Sequence, residues 1–214
     1  MIVERRYRGP SGSGNGGYSC GLFAQLVDGD AEVTLRVPPP LDTPLRVDGL
    51  QVLDGETLVA EVRPTAVDLE LPEPVSFAEA VALQPPPDPD HPFPECFVCG
   101  PHGDGLRLRP GPVGDGRVVA PWVPDEVSPE LVWAALDCPG AFAVNPRFER
   151  GPTVLGRLAA HVERLPAAGD ELVVVAWDLG RSDERRFHAG TALFRGAEPL
   201  AWARAVWFRL RSPA

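Results

Sequence analysis

Between Gln84 and Pro94 the chain reads Gln-Pro-Pro-Pro-Asp-Pro-Asp-His-Pro-Phe-Pro, six prolines in eleven residues. Proline has no backbone N–H and fixes φ at about −65°, so neither a helix interior nor a central strand can pass through such a run. The segment is predicted to be a stiff extended linker. It divides the 214 residues into two units, 1–83 and 95–214, joined by the linker at 84–94.

The two halves share an order of elements. In the first, a short strand is predicted at 2–7. The loop Gly9-Pro10-Ser11-Gly12-Ser13-Gly14-Asn15-Gly16-Gly17 follows, then an apolar helix over 18–27. Alternation predicts a strand at 31–37, stopped by Pro38-Pro39-Pro40. Segments 45–52 and 56–63 flank Leu53-Asp54-Gly55 as a hairpin, with another strand at 66–71 and a helical turn at 77–83.

In the second half, strands are predicted at 106–109 and 117–122. A helix opens at Ser128-Pro129-Glu130, with Ser as N-cap and Pro at the first position, and runs to Pro139-Gly140. Four long strands follow at 153–164, 171–180, 186–195 and 199–210, the last alternating Leu200, Trp202, Arg204, Val206, Phe208 and Leu210. A faint internal echo links Asp54-Gly55-Glu56-Thr57-Leu58-Val59-Ala60 with Gly196-Ala197-Glu198-Pro199-Leu200-Ala201-Trp202. One helix with several antiparallel strands buries itself only if the sheet curls around it, so the expected class is α+β.

Composition narrows the partners. Hydrophobic residues make 44% of the chain, enough for a core. All 20 basic residues are Arg against 30 acidic ones, a net charge of −10 that argues against nucleic acid. The N-terminus is charged by its fourth residue, and no apolar run approaches membrane-spanning length, so no signal peptide and no membrane partner are expected. The four cysteines, Cys20, Cys96, Cys99 and Cys138, are read as reduced thiols of a cytoplasmic protein.

Several motifs resemble those of hotdog-fold acyl-CoA thioesterases. Cys96-Phe97-Val98-Cys99-Gly100-Pro101, followed by Gly105-Leu106-Arg107-Leu108, is similar to the segment that precedes the first strand in many of them. Leu136-Asp137 lies on a helix where such enzymes often read Leu-Asp-Glu, and Asn15-Gly16-Gly17-Tyr18 looks like the turn that opens the same helix. The resemblance spans nearly the whole chain as two hotdog units. It implies a double hotdog, with two central helices wrapped by one continuous curved antiparallel sheet.

The resemblance assigns roles. Asp137 would be nucleophile or general base. Its position in the apolar segment Leu131–Leu136 points the same way, because a carboxylate there is costly unless it is paired or functional. Asn15, Gly16, Gly17 and Tyr18 would present bare N–H groups at a helix start to a thioester oxygen. Thr191 would orient water, although its simpler reading is a strand residue. Arg181 and Arg186 would meet CoA phosphates, or else belong to a solvated turn. The resemblance carries one departure: the glycine turn and the carboxylate, on one helix in single-domain relatives, here lie in different halves. Either one composite site forms across the halves or both sites are degraded.

His91, Cys96, Cys99 and His102 are zinc-ligand types, but four ligands packed into twelve residues are crowded. The segment is expected to hold no metal, and no cofactor is expected. The expected partner is therefore a small acyl thioester, carried by CoA or a carrier protein, with homo-oligomers of double-hotdog protomers allowed. Two alternatives stand: a non-catalytic acyl or acyl-CoA binding or interaction protein, and, lowest, an acyl-thioester hydratase or dehydratase. The latter needs a catalytic His, and none lies near either predicted helix in the sequence.

Overall fold

The structure, a computed structural model, describes residues 1–10, 12–102 and 104–210. Ser11 of the glycine loop and the last four residues of the predicted second unit lie outside the described residues. The N-terminal half contains α1 (Gly16–Ala24), β1 (Ala31–Leu35), β2 (Arg46–Asp48), β3 (Gln51–Asp54), β4 (Thr57–Pro64) and α2 (Phe77–Leu83). After the proline segment come β5 (Gly111–Pro112), β6 (Val118–Trp122), α3 (Pro129–Ala135), α4 (Cys138–Val144), β7 (Thr153–Val162), β8 (Leu172–Arg181), β9 (Arg186–Arg195) and β10 (Glu198–Arg209).

All ten strands join one antiparallel sheet in the order β2-β3-β4-β1-β7-β10-β9-β8-β6-β5. The four strands on each side nearest the β1–β7 junction mirror one another: outward from it, each half places its first long strand, then its last, then the two before that, and β6 and β5 extend the C-terminal side alone. β1 pairs with β7 from Ala31↔Ala160 to Thr34↔Arg157, so the sheet runs unbroken across the junction. Glu32 at this junction is 4% exposed. It is held by Arg63 of β4 at 2.7 Å, with Arg157 of β7 at 3.5 Å and Arg204 of β10 at 3.9 Å. One carboxylate is thus tied to both halves.

The main core lies between α1, α3 and α4 and one face of the sheet. On β10 the buried row is Ala201, Ala203, Ala205 and Trp207, whereas Trp202, Val206 and Phe208 stay partly exposed. From Trp202 onward, the alternation noted in the sequence therefore marks the outer face, whereas Leu200, the first of that row, is buried in the main core. Small side chains on the inner face let the helices sit close to the strands. The outer face carries a second, smaller core in which Ala80 of α2 packs with Val119, Val173, Val175 and Phe194. On the same side, Trp202 Nε1 donates to the Val67 carbonyl at 2.8 Å.

Several predicted elements differ. Residues 5–7 form one 3-10 turn, and only Val3 makes a bridge, to Leu41. The segments at 66–71 and 106–109 form no strand. The latter instead bonds to the cysteine segment, Leu106 N to Phe97 O and Leu108 N to Val98 O, each at 2.8 Å. Gly49, at φ +58°, splits 45–52 into two strands joined by a tight turn. Of the linker, residues 85–90 are exposed, but His91 is 6% exposed and packs on Phe142 and Phe148. No helix is long and apolar enough to cross a membrane, among the described residues.

Candidate active site

The site forms where α1 crosses α3. Two glycines make the crossing close. A Cβ on Gly17 would lie 2.3 Å from Asp137 Cβ and 2.7 Å from Trp133 O, and one on Gly21 would lie 2.8 Å from Trp133 Cβ. Only the missing side chains let the helices approach this far.

Upstream, the glycine loop is pinned rather than free. Gly9 N donates to Ser13 O, Gly14 N to Pro39 O and Asn15 N to Tyr7 O, at 2.7–2.8 Å. These bonds fix where α1 begins. Asn15 is the N-cap of α1, its Oδ1 accepting from Tyr18 N at 2.8 Å.

Asp137 stands at a break between helices. Pro139 cannot donate back to the preceding turn, so α3 ends at Ala135 and α4 starts anew at Cys138. The Asp137 side chain makes no capping bond to α4. Its Oδ2 instead accepts from Gly17 N at 2.9 Å and from Asn15 Nδ2 at 3.1 Å. Residues 120 and 122 positions apart thus share one hydrogen-bonded cluster. The structure brings the two parts of the divided motif into hydrogen-bond contact.

Asp137 is 2% exposed, and its Oδ1 has no hydrogen-bond partner. Burial pushes its carboxyl up to about 7, against the Gly17 N–H and the Asn15 amide, which favour the charged form. A group near neutrality accepts and releases protons readily. Asp137 lines a cavity of about 30 Å³ that Thr153 and Trp207 also line. Thr153 Oγ1 and Trp207 Nε1 likewise have no partner, so three residues that each carry a buried unpartnered polar atom line one small space.

Gly16 lines this cavity and also a groove of about 350 Å³ bounded by Leu35, Arg36, Pro39, Gly156 and Phe208. As the first helical residue, Gly16 has no intrahelical acceptor for its N–H.

The other expected residues fall differently. Gly17 does not offer its N–H to a substrate, because Asp137 already accepts it. Tyr18 stacks on Tyr7, with ring centroids 3.6 Å apart, and lines neither space. Thr191 is fully buried and its Oγ1 donates to Leu136 O at 2.8 Å. It therefore fixes the backbone beside Asp137 and does not line the cavity. Arg186 lies over the Phe208 ring at 5.6 Å, and Phe208 lines the groove. Arg181, at the exposed end of β8, lines neither space.

The cysteines were grouped only in part by sequence. Cys96, Cys99 and Cys138 lie together with all Sγ atoms within 4.8 Å, buried, beside Asp137. All four cysteines are free thiols. His102 is outside this group, near Glu95 at 3.5 Å, and His91 Nδ1 accepts from Phe93 N at 3.0 Å. Cys138 was not legible as a partner, because 39 residues separate it from Cys99.

No known family model matches the chain, and no curated protein is similar to it at a significant level. Solved structures are. A conserved protein of unknown function with a hot dog fold from Alicyclobacillus acidocaldarius superposes with TM-score 0.62 at 13% identity, covering 99% of this chain and 92% of that one. A tesB protein of Mycobacterium avium subsp. paratuberculosis gives TM-score 0.59 at 14% identity, over 94% and 90%. A provisionally assigned oleoyl thioesterase from Lactobacillus plantarum gives 0.51 at 10% identity, over 87% and 77%. The fold is thus the hotdog fold in its double form, α+β, with one continuous sheet.

Proposed function

We propose that the protein hydrolyses an acyl thioester of the CoA type at a composite site in which each half supplies one part. The observation that carries this reading is the cavity lined by Asp137, Thr153 and Trp207, whose Oδ1, Oγ1 and Nε1 have no protein partners, beside the start of α1. At about 30 Å³ it suits a water molecule next to Asp137, which favours general-base action over direct attack.

In this mechanism the acyl thioester lies in the adjoining groove with its carbonyl oxygen toward the Gly16 N–H. Asp137 takes a proton from water as the oxygen bonds to the carbonyl carbon. The C–S bond then breaks, and the departing sulfur receives that proton, leaving a carboxylic acid and a thiol. Asn15 and the Gly17 N–H hold the other carboxylate oxygen in place. Arg36 in the groove, which pairs with Glu61, and Arg186 over Phe208 are the cations this reading offers to an anionic head group against the net charge of −10.

A second reading, acyl-CoA binding without turnover, draws on the narrowness of the cavity beside Asp137, too small for an acyl chain itself. Thiol release from acyl-CoAs of graded chain length separates the two. Hydrolysis of at least one member, cut roughly a hundredfold or more in Asp137→Asn, is expected. Binding of acyl-CoA with no thiol release selects the second reading, and unchanged turnover in Asp137→Asn removes Asp137 from the chemistry.

A further inference from the structure

The three clustered cysteines are not used by that mechanism. Each comes from a local geometry that sets its sulfur toward the others. Cys96 and Cys99 flank a tight turn in which Gly100 N donates to Cys96 O at 2.9 Å. Gly100 is required there, since a Cβ would lie 2.4 Å from Pro94 O and 2.5 Å from Cys96 N. Cys138 is the first residue of α4 and is brought in by the break at Asp137.

The Sγ atoms of Cys96 and Cys138 are 3.8 Å apart. Two thiolates on one tetrahedral zinc, with Zn–S of about 2.3 Å, stand about 3.8 Å apart. The third sulfur lies within 4.8 Å of both. A donor also faces the sulfurs. Asn15 Nδ2 lies 3.8 Å from the sulfurs of both Cys96 and Cys138. N–H groups turned to sulfur are the outer contacts that favour the thiolate form a metal needs. The second, independent observation is that Asp137 Oδ1 is buried and unpartnered, and that Asp137 lines the cavity that all three cysteines also line.

We propose that Cys96, Cys99 and Cys138 form a three-thiolate site for a zinc-class divalent ion, with its fourth position open to the cavity. Asp137 is not one of the clustered ligands and stays beside that open position. Three protein ligands with one open position is the pattern of reactive rather than purely structural zinc sites. Binding replaces three S–H protons, which pass to solvent, with three metal–sulfur bonds. The proposal departs from the expectation of a metal-free segment, and its ligands differ from the His91–His102 set weighed in the sequence. The assignment stands on ligand geometry and does not depend on thioester hydrolysis.

The full chain, purified reduced and without chelator, is tested by elemental analysis and by cobalt(II) titration in the absorption spectrum. About one zinc per chain is expected, with a thiolate-to-cobalt charge-transfer band on substitution. Cys96→Ala and Cys138→Ala are expected to lower bound metal at least tenfold, and Cys20→Ala, outside the cluster, to leave it unchanged. Absence of zinc together with no cobalt–thiolate band in the wild-type chain overturns the proposal, whether or not the variants fold. Equal metal retention in folded Cys96→Ala and Cys138→Ala also overturns it. Metal binding without thioester turnover leaves this site standing and removes the proposed hydrolysis.

Discussion

Asn15 serves two structural ends with one amide. Its oxygen caps α1 and its nitrogen reaches Asp137 in the other half of the chain. Gly17 permits that meeting by having no side chain. Gly17→Ala is expected to destabilise the protein by about 1–3 kcal/mol, since Asp137 Cβ and Trp133 O cannot both yield. Denaturant unfolding measures it, and a loss below a few tenths of a kcal/mol would mean that the helix crossing is looser than described. At this scale the sequence was informative where a residue was locally anomalous: a carboxylate in an apolar helix, an Asn before two glycines. It was silent where the partner lay far along the chain. Thr191 illustrates this: the resemblance implies a water-orienting role, whereas its hydroxyl meets Leu136 O, 55 positions away along the chain.

Among the elements, the four long C-terminal strands were legible to within two residues, because their alternation runs for ten residues or more. The face they bury was not. The inner row of β10 is mostly alanine and does not announce itself beside Trp202 and Phe208. In the sequence Pro139 marks a disturbed or ended helix, and only the fold shows that a second helix begins at Cys138.

The β7–β10 pair also carries a pH-sensitive contact. His161 Nδ1 lies 2.7 Å from Asp30 and its Nε2 3.0 Å from Glu163, so the protonated ring donates to both carboxylates, and it stacks on Trp202 at 4.2 Å. Burial pushes its pKa down, but the two acidic partners outweigh this and the value is raised. The proton is thus held more tightly in the folded state. The contribution is fully present below the unfolded value of about 6.5 and is lost as pH rises through the raised folded value. The stability advantage of wild type over His161→Gln is expected to be larger near pH 5.5 than near pH 8.5 by roughly the tenths of a kcal/mol usual for exposed pairs. Chemical denaturation at the two pH values measures it, and an equal or reversed difference contradicts the assignment.

For the whole molecule, the mirrored strand order agrees with two similar units that share one sheet, and we propose that they divide at the linker 84–94 as its prolines indicate. The interface between them includes the β1–β7 pairing, the α1–α3 crossing and the Glu32 ion pairs. None of these needs the exposed residues 85–90. A protease site inserted after Pro87 is therefore expected to give two fragments that co-elute after cleavage. Separation of the fragments by size exclusion would mean that the linker itself holds the halves together.

The central claim is that the two halves build one catalytic site through the Asn15–Asp137 contact. The most direct test is a double-mutant cycle on kcat/KM for acyl-CoA hydrolysis, using Asn15→Ala, Asp137→Asn and the double variant. If the residues act as one unit, the double variant will be about as slow as Asp137→Asn alone. Losses that multiply, or an Asp137→Asn enzyme as fast as wild type, would contradict a composite site.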